Sequence, residues 1–144
     1  MSANSEYRLA PEVAGGWGAE TVADTTRHPP VVTKLHYEFG GWLGDDLVES
    51  FPVFIVSDRL AQAIQHEALS GVELDTVKVT KDPQFDHFFP EAARSLPDWK
   101  WLRPNGHPHV TDFWQQDDGA LVVSERALSV LRRFNVGHCE IEEL

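Results

Sequence analysis

The sequence predicts an α+β fold, a single domain in which two related strand–helix–strand units lie on a mixed or antiparallel sheet. Three observations predict it. A chain of 144 residues suits one domain, and a chain of that size buries about 70% of the surface its unfolded form exposes. Apolar residues alternate with polar ones in some stretches and recur every four residues in others, the periods of strand and helix. Finally, Phe54-Ile55-Val56-Ser57-Asp58-Arg59 returns as Leu121-Val122-Val123-Ser124-Glu125-Arg126, at a constant offset of 67 residues.

Taken in order, residues 1–30 are rich in Gly, Pro, Ala and Thr without a clean period, and predict an irregular lead-in pinned to the core by Tyr7, Leu9 and Trp17. Residues 31–39 alternate, with Val31, Leu35, Tyr37 and Phe39 on one side, and predict a half-buried strand. The first unit, 45–79, follows. Phe51 to Val56 is a short apolar strand, in which Pro52 is tolerable only near the start or on an edge. From Asp58 a helix presents Leu60, Ile64 and Ala68 on one face, and Ser70-Gly71 closes it. Residues 72–79 alternate as a further strand. The Pro- and aromatic-rich stretch 80–111 predicts a connection that is mostly loop, with a short helix at 90–96. The second unit, 112–144, repeats the first: a strand at 120–123, a helix at 125–134, a turn through Asn135 and Gly137, and a strand at 138–143. The same offset matches Ile64 to Leu131, Leu69 to Val136, Val72 to Cys139, Glu73 to Glu140, Leu74 to Ile141 and Asp45 to Asp112.

A serine between a strand and a helix stands where an N-cap stands. Its hydroxyl accepts a hydrogen bond from a first-turn N–H that lacks a helical partner, a contribution of roughly 0.5–2 kcal/mol against alanine. Asp58 and Glu125 then place a carboxylate at the positive end of each helix dipole. A nucleophile elbow needs Gly-x-Ser-x-Gly, and neither Ser57 nor Ser124 has a flanking glycine. Both are therefore expected to be structural caps, with no catalytic residue among them.

Twelve basic against 23 acidic side chains give a net charge of −11. That field repels a phosphate backbone and attracts a basic protein, so the expected partner is a protein and not nucleic acid. No stretch is apolar enough for a membrane span, and the single cysteine, Cys139, suits a reducing compartment. The chain is expected to be cytoplasmic, without membrane attachment and without a cofactor, and no oligomeric state is specified. Carboxylates Asp45, Asp46, Glu49, Asp112, Asp117 and Asp118 flank two turns that carry Trp42 and Trp114, while Trp99 and Trp101 alternate around Lys100. Tryptophan anchors many interfaces, so Trp42, Asp45, Asp46, Trp99, Trp101, Trp114, Asp117 and Asp118 form the expected partner-binding surface. The competing reading is a small metal-dependent hydrolase built on His87, His107, His109 and Asp112. Two imidazoles and a carboxylate can hold a divalent transition ion, although Pro108 between the histidines disfavours a shared face and no established zinc motif is present. A stand-alone interaction domain is the third possibility.

The last 35 residues or so, "TDFWQQDDGALVVSERALSVLRRFNVGHCEIEEL", carry a resemblance. An aspartate with aromatics, a short loop, "LVVSER", an amphipathic helix and a Val/Glu-bearing terminal strand resemble the C-terminal part of small bacterial immunity proteins of polymorphic toxin systems. The matching positions are Asp112, Phe113, Trp114, Leu121 to Arg126, Leu131, Glu140 and Ile141, with 45–79 as a weaker echo and no counterpart for residues 1–44. The resemblance implies a protein that binds and neutralises a cognate toxin, without cofactor or catalysis.

Overall fold

A computed structural model describes residues 5–144. The elements follow in order as β1 (Glu6–Ala10), β2 (Gly15–Trp17), β3 (Val22–Asp24), β4 (Val31–Lys34), β5 (His36–Phe39), β6 (Leu47–Ser50), β7 (Val53–Ser57), α1 (Asp58–His66), β8 (Val72–Asp75) and β9 (Lys78–Lys81). Then come α2 (Pro83–Phe88), α3 (Pro90–Arg94), β10 (Trp99–Pro104), β11 (Phe113–Gln115), β12 (Leu121–Ser124), α4 (Glu125–Leu131) and β13 (Glu140–Glu143). The α+β class and the two related units are both present.

Two antiparallel four-stranded sheets form the frame. A central sheet has the order β6-β7-β10-β8, and a terminal sheet has the order β11-β12-β1-β13. The two orders are the same pattern. In each unit the hairpin leading into the helix (β6-β7 or β11-β12) is separated from the strand after the helix (β8 or β13) by an inserted strand. The inserted strands are β10 in the first unit and β1 in the second, so each unit is completed by a strand from outside it. The registers agree: Trp99 faces Ser57 and Leu102 faces Leu74, while Glu6 faces Ser124 and Leu9 faces Ile141. Even the entries match, the Asp58 N–H bonding to the Asp98 carbonyl and the Glu125 N–H to the Ser5 carbonyl.

This arrangement corrects the sequence reading at both inserted strands. The lead-in is not irregular: residues 6–10 are a strand between β12 and β13, with Tyr7 and Leu9 in the core and Arg8 outward. The connection 80–111 is not mostly loop either, because residues 99–104 lie between β7 and β8. Its predicted short helix is present as α3. Two predicted strands are each divided. Residues 31–34 pair with β3 while 36–39 pair with β2 and, in parallel, with β9; likewise β8 belongs to the central sheet and β9 to the outer sheet β2-β5-β9. The inward phase slips at each division: Val32 and not the expected Val31, which is exposed, joins Leu35, Tyr37 and Phe39 in the second core, and Val72 and Leu74 face the first core while Val77 and Val79 face the second.

The central sheet is covered on both faces, which explains the unbroken apolar run of β7. Phe54 and Val56 point into a core shared with Tyr7, Leu9, Leu121, Val123 and the buried faces of α1 and α4. Val53 and Ile55 point the other way, into a second core with Tyr37, Phe39, Phe85, Trp99 and Trp101. The terminal sheet sends Tyr7, Leu9, Leu121 and Val123 into the first core, and its opposite face carries Arg8, Glu140 and Glu142, all exposed.

Candidate functional site

The repeated serines cap their helices. Ser57 Oγ accepts from the Leu60 N–H at 3.4 Å, and Ser124 Oγ from the Ala127 N–H at 3.0 Å. Each hydroxyl spends its own proton on an aspartate: Ser57 donates to Asp46 Oδ1 at 2.5 Å, and Ser124 to Asp112 Oδ1 at 2.7 Å. The equivalent of Asp112 is thus Asp46 and not Asp45, one residue off the constant offset. The backbone agrees, since the N–H of Ser57 bonds to the Asp46 carbonyl and that of Ser124 to the Asp112 carbonyl.

The second oxygen of each aspartate reaches the other unit. Asp46 Oδ2 accepts the Asn135 N–H at 2.8 Å, just beyond the end of α4. Asp112 Oδ2 accepts the Ser70 N–H at 2.9 Å, just beyond the end of α1. The start of each helix is therefore tied to the far end of the other. Gly71 makes room for one of these crossings: its φ is +77°, and a Cβ there would collide with the Phe113 carbonyl oxygen. Burial alone would raise the Asp46 carboxyl, but hydrogen bonds from Arg59, Ser57 and the Asn135 N–H outweigh it and hold the group below the usual carboxylate range. Asp112 is likewise held low, its burial outweighed by bonds from the Ser70 N–H and the Ser124 and Ser70 hydroxyls. Arg59 forms a bidentate pair with Asp46, at 2.8 and 2.7 Å. These residues hold the two units together, and both serine hydroxyls are committed to that task.

The expected partner surface divides. Asp45 and Asp46 are each 2% exposed, and Trp99 and Trp101 each 5%. These four are therefore interior. Trp99 packs against Trp42 and Phe39 in the second core, and the Trp101 indole lies under the Arg103 guanidinium. Trp42 is half-buried and donates its indole N–H to the Asp45 carbonyl at 2.8 Å. The remaining three stay at the surface together. Asp117 and Asp118 are exposed in the turn between β11 and β12, Trp114 is half-buried on β11, and all three line one shallow depression with Pro108. The outer face of the terminal sheet continues from there. Across it Trp114 neighbours Val122, Val122 neighbours Arg8, and Arg8 neighbours Glu142. Arg8 also bonds Gln116 and Asp118, at 3.1 Å each. Exposed Glu140, Glu142 and Glu143 occupy β13, the edge strand of this sheet among the described residues. The sequence reading missed these glutamates as part of the surface. Their signal was the alternation in the terminal segment, with Glu140 matched to Glu73.

The histidine hypothesis is not supported by the placement. Among the described residues, His87, His107, His109 and Asp112 do not bring three donor atoms together. His87 is exposed on α2 against Phe88, and His107 and His109 are exposed in a loop. His109 Nδ1 instead faces the buried Glu6 at 2.8 Å, while Glu6 also accepts the Trp114 indole N–H at 2.7 Å. Asp112 is engaged by three donors from serines.

A different group of acids was invisible in the sequence. Glu12, just after β1, Asp45, just before β6, and His138, just before β13, bring one donor atom each within 4.8 Å of one another. Burial raises the Glu12 carboxyl, in spite of N–H bonds from Leu43 and Asp45, and the Asp45 charge raises it further. Nearby on β6, burial pushes Glu49 up to about 7, with Arg8 pulling the other way. Burial and the Asp45 charge push the Cys139 thiol up to about 12, so the thiolate is disfavoured there.

No protein-family model matches this chain, and no curated protein matches it either.

Proposed function

We propose that the protein is a non-enzymatic binding protein that engages a basic protein, as an immunity protein of the kind its last 35 residues resemble. On this reading it neutralises a toxin by covering it. The contact is the outer face of the terminal sheet, from Trp114, Asp117 and Asp118 at one edge to Glu140 and Glu142 at the other. The observation that carries the reading is this acidic sheet face, with Asp117, Asp118, Glu140 and Glu142 exposed beside a half-buried tryptophan, on a chain of net charge −11. A positively charged partner would be steered to it by the overall field, and the Trp114 ring would supply the apolar anchor. The engagement of both repeated serine hydroxyls with aspartates also speaks for this reading over an acyl-transfer enzyme.

The test is co-expression with the product of each neighbouring gene, followed by calorimetry on any complex. The expected result is a salt-sensitive complex that relieves toxicity, weakened at least tenfold by Asp117→Lys/Glu142→Lys. Absence of a complex with either product, or a complex indifferent to that charge reversal, contradicts the proposal.

A further inference from the structure

We propose that Glu12, Asp45 and His138 form a binding site for one divalent transition-metal ion, zinc above all, that clamps three distant segments of the chain. The three ligands come from the segment after β1, the turn before β6 and the loop before β13. Glu12 is 6% and Asp45 2% exposed. Among the described residues neither carboxylate has a lysine or arginine ion pair; Asp45 instead faces the His138 imidazole, whose Nδ1 lies 3.1 Å from Asp45 Oδ1. Two adjacent carboxylates taken out of water need a compensating charge, and one imidazole supplies at most half of it.

The donor set matches the chemistry. Two carboxylate oxygens and an imidazole nitrogen suit zinc, cobalt or manganese, and the imidazole selects against the hard ions calcium and magnesium. The ligands are also oriented by the backbone. The Leu43 N–H bonds to Glu12 Oε2 at 2.7 Å, the Asp45 N–H to Glu12 Oε1 at 3.3 Å, and the His138 N–H to Asp45 Oδ2 at 2.8 Å. Such supporting bonds fix the direction of a first ligand set. The donor atoms all lie within 4.8 Å of one another, and His138 Nδ1 is 3.1 Å from Asp45 Oδ1, close to the roughly 3.4 Å between ligands about 2.1 Å from a tetrahedral ion. The His138 side chain is half exposed at 49%, so it can adjust to the ion while both carboxylates are buried. The exposed side leaves the fourth position to water.

The test of this site needs no partner. Titration calorimetry of the metal-free full chain with Zn2+ is expected to give one saturable equivalent and a rise of several degrees in the unfolding midpoint. His138→Ala and Glu12→Gln should each weaken uptake at least tenfold, and His107→Ala/His109→Ala should leave it unchanged. His138 is exposed, so its replacement leaves the fold intact, as circular dichroism checks. No saturable uptake by the wild type, uptake equal in His138→Ala, uptake lost in the His107/His109 variant, or Ca2+ binding as tight as Zn2+ each overturns the proposal.

Discussion

Replacing Asp46 by alanine removes the carboxylate that accepts the most hydrogen bonds among the described residues. It accepts four hydrogen bonds, from Ser57 Oγ, Arg59 Nε, Arg59 Nη2 and the Asn135 N–H. Ser57 is fully buried, so its hydroxyl cannot turn to water, and the Asn135 N–H is part-buried. Each buried group left unpaired costs about 1–3 kcal/mol. The Arg59 side chain is 61% exposed and simply rehydrates, which limits that pair to about 0–1 kcal/mol. The sum is a loss of about 2–7 kcal/mol, a large part of the roughly 5–15 kcal/mol available to a domain. Asp112→Ala should cost less, about 1–2 kcal/mol, because the Ser70 groups it leaves are exposed and regain water. Urea unfolding at pH 7, followed by tryptophan fluorescence, measures both. The sign of the pH effect is fixed too. Asp46 is held below its ordinary value, so its contribution is complete above about pH 4 and is lost as the pH falls through the folded-state value. The gap between wild type and Asp46→Ala should close in acid. A loss at pH 7 no larger than that of the exposed Asp117→Ala would refute the reasoning.

Two further outcomes follow from burial. Glu49 has the opposite sign: raised to about 7 by burial, it stays protonated in the fold after the unfolded chain has ionised near pH 4.3. Stability is therefore lost as the pH rises from that value toward 7, and Glu49→Gln escapes the loss, so its advantage in unfolding midpoint should grow between pH 5 and pH 8; parallel curves would contradict this. Trp99 and Trp101 are interior, so Trp99→Phe/Trp101→Phe should remove the blue-shifted, iodide-resistant part of the fluorescence, and a quenching curve identical to wild type would place those indoles elsewhere.

Much of the frame was legible because local chemistry set it. The cap serines, the apolar stripe of α1 and the short apolar run of β12 need only neighbours in sequence to be read. The inserted strands were not legible. β1 offers just Tyr7 and Leu9 before Pro11 and a glycine-rich stretch, and β10 sits among prolines, so short alternation was outweighed by breakers. Both are strands because they find edges of hairpins far away in sequence. The aspartates were misplaced for the same reason. Asp45 and Asp46 look like turn residues, and their burial depends on partners at positions 12, 135 and 138 that no local pattern announces. Asp117 and Asp118 have no such partners in the interior, and for them the turn reading held.

The claim on which the architecture rests is the crossing of the two ties, each aspartate holding the far end of the other unit's helix. Amide hydrogen exchange, read residue by residue in Asp46→Ala and Asp112→Ala, tests it most directly. Asp46→Ala should speed exchange at Asn135 and spare Ser70, while Asp112→Ala should speed Ser70 and spare Asn135. Loss of protection confined to each aspartate's own unit, or spread equally over both amides in both variants, would contradict it.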